Sequence, residues 1–172
     1  MKLTVTAFSN TLQVRKLYEQ DAQSIYALCK ANRTYYKYFK TEPTVENITE
    51  DLYRTPQGTT SEDKYFLGFF HQDETLAAIL DLIAGYPDKD TAFIGLFMMA
   101  VNLQKKRTGT AILQDVLKQL GRQGFSRIRL GCIADNQEAL SFWKRNGFQV
   151  TGQRTQTEDY EIIIMEKALT AK

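Results

Sequence analysis

The chain has 172 residues, of which 43% are hydrophobic and 24% are charged, and its formal net charge is +2. These values are those of an ordinary globular protein and exclude an intrinsically disordered chain. The length predicts a single domain over residues 1–172. The small net charge argues against a nucleic-acid partner. The first ten residues lack a signal-peptide core and no run of about 20 apolar residues occurs, so we expect a cytoplasmic protein without a membrane partner.

Cysteines are few and dispersed. Cys29 and Cys132 are the only two, and their separation fits neither a disulfide framework nor the spacing of metal ligands. We therefore expect reduced thiols and no metal cofactor.

Hydrophobic periodicity predicts regular elements along the whole chain. Strand-like alternation or apolar runs occur in seven segments, at residues 12–17, 64–71, 75–84, 91–100, 127–133, 149–154 and 160–167. Helical spacing occurs in four segments, at residues 21–31, 45–53, 108–120 and 136–146. This order predicts an α/β (α+β) fold, in which a mixed central sheet carries helices on both faces.

A basic turn links the predicted strand 91–100 to the predicted helix 108–120. It consists of Gln104, Lys105, Lys106, Arg107, Thr108, Gly109 and Thr110. Backbone N–H groups at a helix N-terminus point outward together and favour an anion, so the turn is a candidate diphosphate site. The alternative is a turn whose lysines are only solvated.

A second group of residues lies on the predicted helix 136–146 and just after it. Its members are Asn136, Ala139, Phe142, Trp143, Gly147 and Phe148. Asn136 suits the N-cap, the three residues 139, 142 and 143 form an apolar stripe, and Gly147 suits a C-terminal stop. Capping and packing therefore explain this group without any ligand.

Together the two groups resemble the signatures of the GNAT superfamily of acyl-CoA-dependent N-acetyltransferases. Gln104 and Gly109 match the first signature, and the second group matches the other signature except at Trp143. Arg107 occupies the position of the family's first glycine, where a positive φ would cost about 1–2 kcal/mol. Trp143 replaces a tyrosine that protonates the departing CoA thiolate in many members, and an indole does not titrate.

The resemblance implies a mostly antiparallel GNAT-like sheet and an N-acetyltransferase that uses acetyl-CoA. The acceptor would be a primary amine of a small molecule or peptide, acetylated by direct transfer without a metal. The backbone of the strand near Met99 and Val101 would pair with pantetheine, and residues 104–110 would hold the diphosphate. Asn136, Phe142 and Trp143 would lie beside the CoA arm.

Asp81 is the sharpest candidate for a general base. It interrupts the otherwise apolar segment 76–84, where a carboxylate must be paired, hydrogen-bonded or shifted in pKa. It could equally anchor the substrate ammonium or be a structural acid. Tyr35 and Tyr36, in an aromatic run after the first helix, could line the acceptor pocket or belong to the core.

Three further residues are weaker candidates for a catalytic role. His71, the only histidine, fits an exposed turn. Cys132 fits a small buried residue better than an acyl carrier. Tyr160 or a water molecule could protonate the thiolate.

Two other classes of function stay open. One is a non-catalytic acyl-CoA-binding or sensor module, suggested by Trp143 and by the lack of an acid on strand 91–100. The other is nucleic-acid binding through residues 121–124, a loop similar to the phosphate clamp of KH domains. A homodimer is also compatible with the sequence.

Overall fold

The computed structural model describes residues 2–169, which form one mixed sheet with helices packed on both faces. The strands of the described chain are β1 (Gln13–Lys16), β2 (Lys64–Phe70), β3 (Leu76–Ala84), β4 (Thr91–Met99), β5 (Arg127–Ile133), β6 (Gln149–Gln156) and β7 (Glu161–Ala168). Its α-helices are α1 (Ala22–Ala31), α2 (Arg33–Phe39), α3 (Val45–Tyr53), α4 (Thr108–Arg122) and α5 (Gln137–Arg145). Short 3-10 turns occur at Val5–Phe8, Glu19–Asp21 and Val101–Leu103.

The strand order across the sheet is β1-β2-β3-β4-β5-β7-β6. Every neighbouring pair is antiparallel except β4 and β5, which are parallel and are joined by α4. This confirms the fold class expected from the sequence, including the mostly antiparallel sheet implied by the resemblance.

Element bounds agree closely with the sequence pattern, with one omission. The short helix α2 was not predicted, since tyrosine-rich segments have only moderate helix propensity. It forms because Tyr35 and Tyr36 pack against the core beneath α1 and α3. Helix α4 also runs through Gly121 and ends before Gly124, whose φ of +103° only glycine adopts easily.

Two apolar layers cover the sheet. Helices α4 and α5 contribute the buried face that contains Leu113, Val116 and Trp143. On the other face, α1, α2 and α3 cover the half of the sheet formed by β1 to β4. The C-terminal end of α2 also reaches the opposite half, where Phe39 contacts Tyr160 just before β7, and β6 is exposed along its whole length. No helix within residues 2–169 is long and apolar enough to cross a membrane.

Candidate active site

The parallel strands β4 and β5 separate part-way along the sheet. Their last paired residues are Ile94 and Leu130, after which β4 continues for five residues and β5 for three without pairing to each other. A bulge accompanies the separation: Leu82 pairs with Ile94 and Asp81 pairs with Leu96, which leaves Gly95 unpaired. Backbone groups on the facing edges of the two strands are therefore available to a ligand.

A cavity of about 350 Å³ occupies this gap. Its lining includes Ile94, Cys132 and Trp143 from the face covered by α4 and α5. It also includes Tyr35 of α2 and Leu96, which belong to the opposite face. Because the two sets of side chains lie on opposite faces, the cavity passes through the sheet.

The basic turn ends at the N-terminus of α4. Lys105 and Arg107 have φ values of +60° and +62°, so the backbone adopts at Arg107 the left-handed conformation expected at this position. No side chain caps the helix, which leaves its first N–H groups free of a side-chain acceptor. Lys105, Lys106 and Arg107 are exposed and form no ion pair with any other residue in the described part of the chain.

Gly109 allows the turn to pack closely on the end of the gap. A Cβ atom on this residue would lie 3.3 Å from Cγ of Met99 and 3.8 Å from Cε2 of Phe142. The first turn of α4 is thereby held against the last residue of β4 and against α5. A larger side chain would press on Met99 and Phe142 and push the turn away from them.

Gln104 connects the turn to the helical layer on the other face. Its Nε2 donates hydrogen bonds to Oδ1 of Asn32 (2.6 Å) and to the carbonyl oxygen of Met99 (3.2 Å). Asn32 is buried between α1 and α2, and its Nδ2 donates to the carbonyl oxygens of Leu28 and Met99. The end of β4, the basic turn and the α1–α2 corner are therefore joined by one hydrogen-bond network.

Helix α5 begins at an N-cap of the expected kind. Oδ1 of Asn136 accepts a 3.0 Å hydrogen bond from the backbone N–H of Ala139. Trp143 is 8% exposed and lies between the rings of Phe142 and Phe148, at centroid distances of 5.1 and 5.2 Å. Its ring lines the cavity and also contacts Phe97 of β4, so Trp143 is both a core residue and a wall of the gap.

Asp81 is paired with a lysine. Both carboxylate oxygens lie 2.8 Å from Nζ of Lys64, and the contact to Oδ2 has hydrogen-bond geometry. The side chains are 16% and 6% exposed, respectively. Burial raises the pKa of Asp81, the charge and hydrogen bond of Lys64 act to lower it, and Asp51 adds a small increase, so that the net pKa is above the usual value.

The Asp81 carboxylate lies next to the cavity. Its Oδ2 is 2.7 Å from the point where a Cβ on Gly95 would be, and Gly95 is an exposed residue of the lining. Asp81 itself is not part of the lining. The glycine at the bulge is therefore what brings the carboxylate near the opening.

The two tyrosines of α2 have different surroundings. Tyr35 lines the cavity and stacks on Phe39, which in turn contacts Tyr160. Tyr36 instead packs against the second apolar layer, away from the lining. Burial raises the pKa of Tyr35 and, with a smaller effect of Asp159, that of Tyr160.

Cys132 lies in the wall of the gap as a buried thiol. Burial raises its pKa to about 11, so it is protonated at neutral pH. No histidine, lysine or carboxylate contributes to the lining in the described chain. His71 lies in the β2–β3 turn, near Ala100 and Leu103 and outside the cavity lining, in keeping with a turn residue.

The amino-acid sequence matches a known protein family over the region that forms this site. The family model described as Acetyltransferase (GNAT) family matches residues 25–148. The chain belongs to the GNAT acetyltransferase family. The match contains most of α1 and continues through α5 to Phe148, so it includes the gap, the basic turn and both signatures.

Solved structures of other acetyltransferases have the same fold. An acetyltransferase from Thermus thermophilus superposes with a TM-score of 0.74 at 20% identity, over 92% of this chain and 97% of that one. The Salmonella typhimurium acetyl transferase that modifies the N-terminal serine of ribosomal protein L7/L12 gives 0.73 at 18% identity, over 95% and 98%.

PaiA N-acetyltransferase from Thermoplasma acidophilum, in complex with coenzyme A, gives 0.66 at 22% identity, over 91% and 98%. No curated protein matches the chain in sequence. At these identities the similarity shows the GNAT fold but does not identify the acceptor substrate.

Sequence reasoning missed three residues of this site. Lys64 opens an apolar strand, and its diagonal position relative to Asp81 follows only from the hairpin register. Asn32 ends α1, and no sequence signal pointed to its contact with Gln104. Phe39 was noted only as part of the aromatic run, because the helix that turns its ring toward Tyr160 was not predicted.

Proposed function

We propose that this GNAT protein is an N-acetyltransferase that transfers the acetyl group of acetyl-CoA directly to a primary amine. The observation that carries the proposal is the cavity that crosses the sheet where β4 and β5 separate. Such a cavity lets a thioester and an amine approach each other from opposite faces. Acetyl transfer requires the thioester carbon and the amine nitrogen to come into contact in a site shielded from water.

The face covered by α4 and α5 is the side for acetyl-CoA. The N–H groups of Thr108, Gly109 and Thr110 would bind the diphosphate, and the unpaired cations at Lys105, Lys106 and Arg107 would add charge-assisted contacts. The free edge of β4 from Gly95 to Met99, continuing to Val101, would pair with the pantetheine amides. Phe142 and Trp143, together with the N-terminal end of α5 at Asn136, would form the wall beside that arm.

The opposite face is the side for the amine. Tyr35 and Asp81 are the proposed acceptor residues, with Tyr36 supporting Tyr35 through their edge-to-face contact at 5.1 Å. An amine that arrives as an ammonium ion must lose one proton before its nitrogen can attack the thioester. The carboxylate of Asp81, at the edge of Gly95, would take that proton directly or through water.

The reaction then balances without a covalent enzyme intermediate. The C–N bond forms as the C–S bond breaks, and the thiolate takes a proton from a water molecule or from a hydroxyl such as that of Tyr160. The second proton that nitrogen gives up replaces the one lost by that donor, and the proton on Asp81 returns to solvent. Cys132 has no role in this route, because its thiol stays protonated and no base adjoins it in the lining.

Binding and turnover are tested separately. Thermal unfolding with acetyl-CoA should show an increased Tm, since a ligand that binds only the folded state stabilises it by mass action. Gly109→Val should remove this increase by displacing the turn from Met99 and Phe142, two residues proposed to adjoin the CoA arm. Lys118→Val, on the exposed face of α4 about 14 Å further along the helix, is the control that keeps it.

Turnover is measured as release of free CoA thiol with a panel of amines, and the acetylated product is identified by mass. CoA release with an acetylated amine supports the enzyme. A Tm increase without acetylation of any amine would instead favour the non-catalytic acyl-CoA-binding module. No Tm increase at millimolar acetyl-CoA would overturn both.

A further inference from the structure

The acceptor side of the cavity is apolar and aromatic. Its main side chains are Tyr35, Phe39, Phe93, Tyr160, Ile162 and Ile164. Phe39 is the middle of a row of rings: its centroid is 5.5 Å from that of Tyr35, with planes 20° apart, and 5.3 Å from that of Tyr160. Aromatic rows of this kind accept a further flat ring by offset or edge contact.

Charge is missing from this lining. Among the described residues that line the cavity, the polar side chains are the hydroxyls of Tyr35, Thr155 and Tyr160, the amide of Asn136 and the thiol of Cys132. A second ammonium group on the acceptor would lose its water without gaining a carboxylate. A carboxylate on the acceptor would likewise meet no cation, and burying either charge unpaired is costly.

The Lys64–Asp81 pair presents a single carboxylate to the opening. Asp81 approaches the opening only at Gly95, and its charge is already balanced by Lys64. One amine next to this carboxylate can share or lose a proton there. A substrate with several cations would need further acids, which this wall does not provide.

The size of the cavity sets a second limit. Its volume of about 350 Å³ must also accommodate the acetyl end of the thioester. This is near the lower end of the usual range for ligand pockets. The part of the acceptor that enters the gap must therefore be small.

From this wall we infer that the acceptor is a small arylalkyl monoamine, whose single amine reaches Gly95 and Asp81 while its ring packs among Tyr35, Phe39 and Tyr160. The inference rests on the proposed acetyl transfer and names its substrate class. It predicts that polyamines, aminoglycosides and free amino acids are poor substrates, because all of them carry additional charge.

The test compares amines that have the same phenethyl skeleton. Phenethylamine is the probe, and kcat/KM is measured from CoA release. Phenylalanine adds a carboxylate to the same skeleton, and 4-(2-aminoethyl)benzylamine adds a second ammonium. We expect each addition to lower kcat/KM at least 10-fold, and we expect spermidine and a serine-headed peptide to be slower than phenethylamine.

The variant Phe39→Ala tests whether the preference for phenethylamine depends on the aromatic side chains of the cavity. It should lower kcat/KM for phenethylamine at least 10-fold while the Tm increase with acetyl-CoA stays unchanged, because Phe39 is on the acceptor side. Phe39→Leu should recover part of the loss by restoring apolar bulk. An equal kcat/KM in Phe39→Ala would overturn the inference.

The outcomes separate the two proposals. Rapid acetylation of spermidine, an amino acid or a peptide, with phenethylamine slower, would refute the arylalkyl monoamine and keep the acetyltransferase. No acetylation of any amine would refute the acetyltransferase itself.

Discussion

Nε2 of Gln104 donates a 2.6 Å hydrogen bond to Oδ1 of Asn32, 72 positions earlier in the chain. Gln104 opens the proposed diphosphate turn, whereas Asn32 lies at the corner between α1 and α2, next to the helix that carries Tyr35. Both side chains also donate to the carbonyl oxygen of Met99. The two proposed substrate sides therefore share a fixed contact at the end of β4.

This contact predicts coupling between two distant residues. Asn32→Ala and Gln104→Ala should each lower the free energy of unfolding by about 1–2 kcal/mol, because each leaves a polar partner unsatisfied. The double variant should lose less than the sum, by about 0.5–1.5 kcal/mol. Urea unfolding of the four proteins measures the coupling, and strict additivity would contradict it.

Arg107 has a conformational cost that glycine would avoid. Its φ of +62° predicts that Arg107→Gly raises the free energy of unfolding by about 1 kcal/mol, the left-handed strain less the entropy that glycine adds to the unfolded chain. The same variant should weaken acetyl-CoA binding, since it removes an unpaired cation from the turn. Thermal unfolding with and without acetyl-CoA separates the two effects, and Arg122→Gly, at the other end of the same helix, is the control for charge.

Variants of the Lys64–Asp81 pair distinguish a catalytic role of Asp81 from a structural one. Asp81→Asn leaves the buried ammonium of Lys64 without a counter-charge and should destabilise the fold by about 3–5 kcal/mol. Combining Lys64→Met with Asp81→Leu removes both charges and should restore most of that stability. If Asp81 is the base, the restored double variant should still acetylate amines poorly; wild-type turnover in it would assign Asp81 a structural role alone.

The same carboxylate predicts a pH dependence. A base acts in its ionised form, so the rate should rise with pH through the pKa of Asp81. Burial raises that pKa above its usual value despite Lys64, so the acid limb of kcat/KM should lie above a pH of about 4. Asp81→Asn should abolish the limb, provided that the residual rate is measured at a temperature where the variant is folded.

Trp143 should affect acetyl-CoA binding more than the rate of transfer. Its indole cannot supply a proton near neutral pH, but its ring forms part of the cavity wall. Trp143→Phe should therefore weaken acetyl-CoA binding and leave the maximal rate within a few-fold. Titration calorimetry and initial rates together check this, and a large fall in rate with unchanged affinity would count against it.

The sequence predicted most of the secondary structure because periodicity and capping are local properties. Asn136 and Thr44 cap their helices, and Thr44 Oγ1 accepts from the N–H of Asn47 at 3.1 Å. The positive φ expected at Arg107 is also local. Motif and strand order together made the GNAT fold predictable.

What was missed depends on contacts between distant segments. The partner of Asp81 required the β2–β3 register, and the network at Asn32 required the packing of α1 on the end of β4. Gly95 is an isolated glycine in a strand, which is a recognised sign of a bulge. Its real effect, which is to bring a carboxylate to the cavity edge, could be seen only once β3 and β4 were aligned.

A cavity that opens on both faces of a sheet can also be occupied by a single molecule. An inhibitor in which the sulfur of CoA is tied to an amine through two carbons would thread the gap, contacting Trp143 on one face and Tyr160 on the other. Once its CoA half is bound, the amine half is held at a local concentration in the millimolar range, so a weak acceptor contact adds strongly to the total affinity. A series of such tethered amines would rank candidate acceptors for the proposed reaction by binding alone, before any turnover is seen.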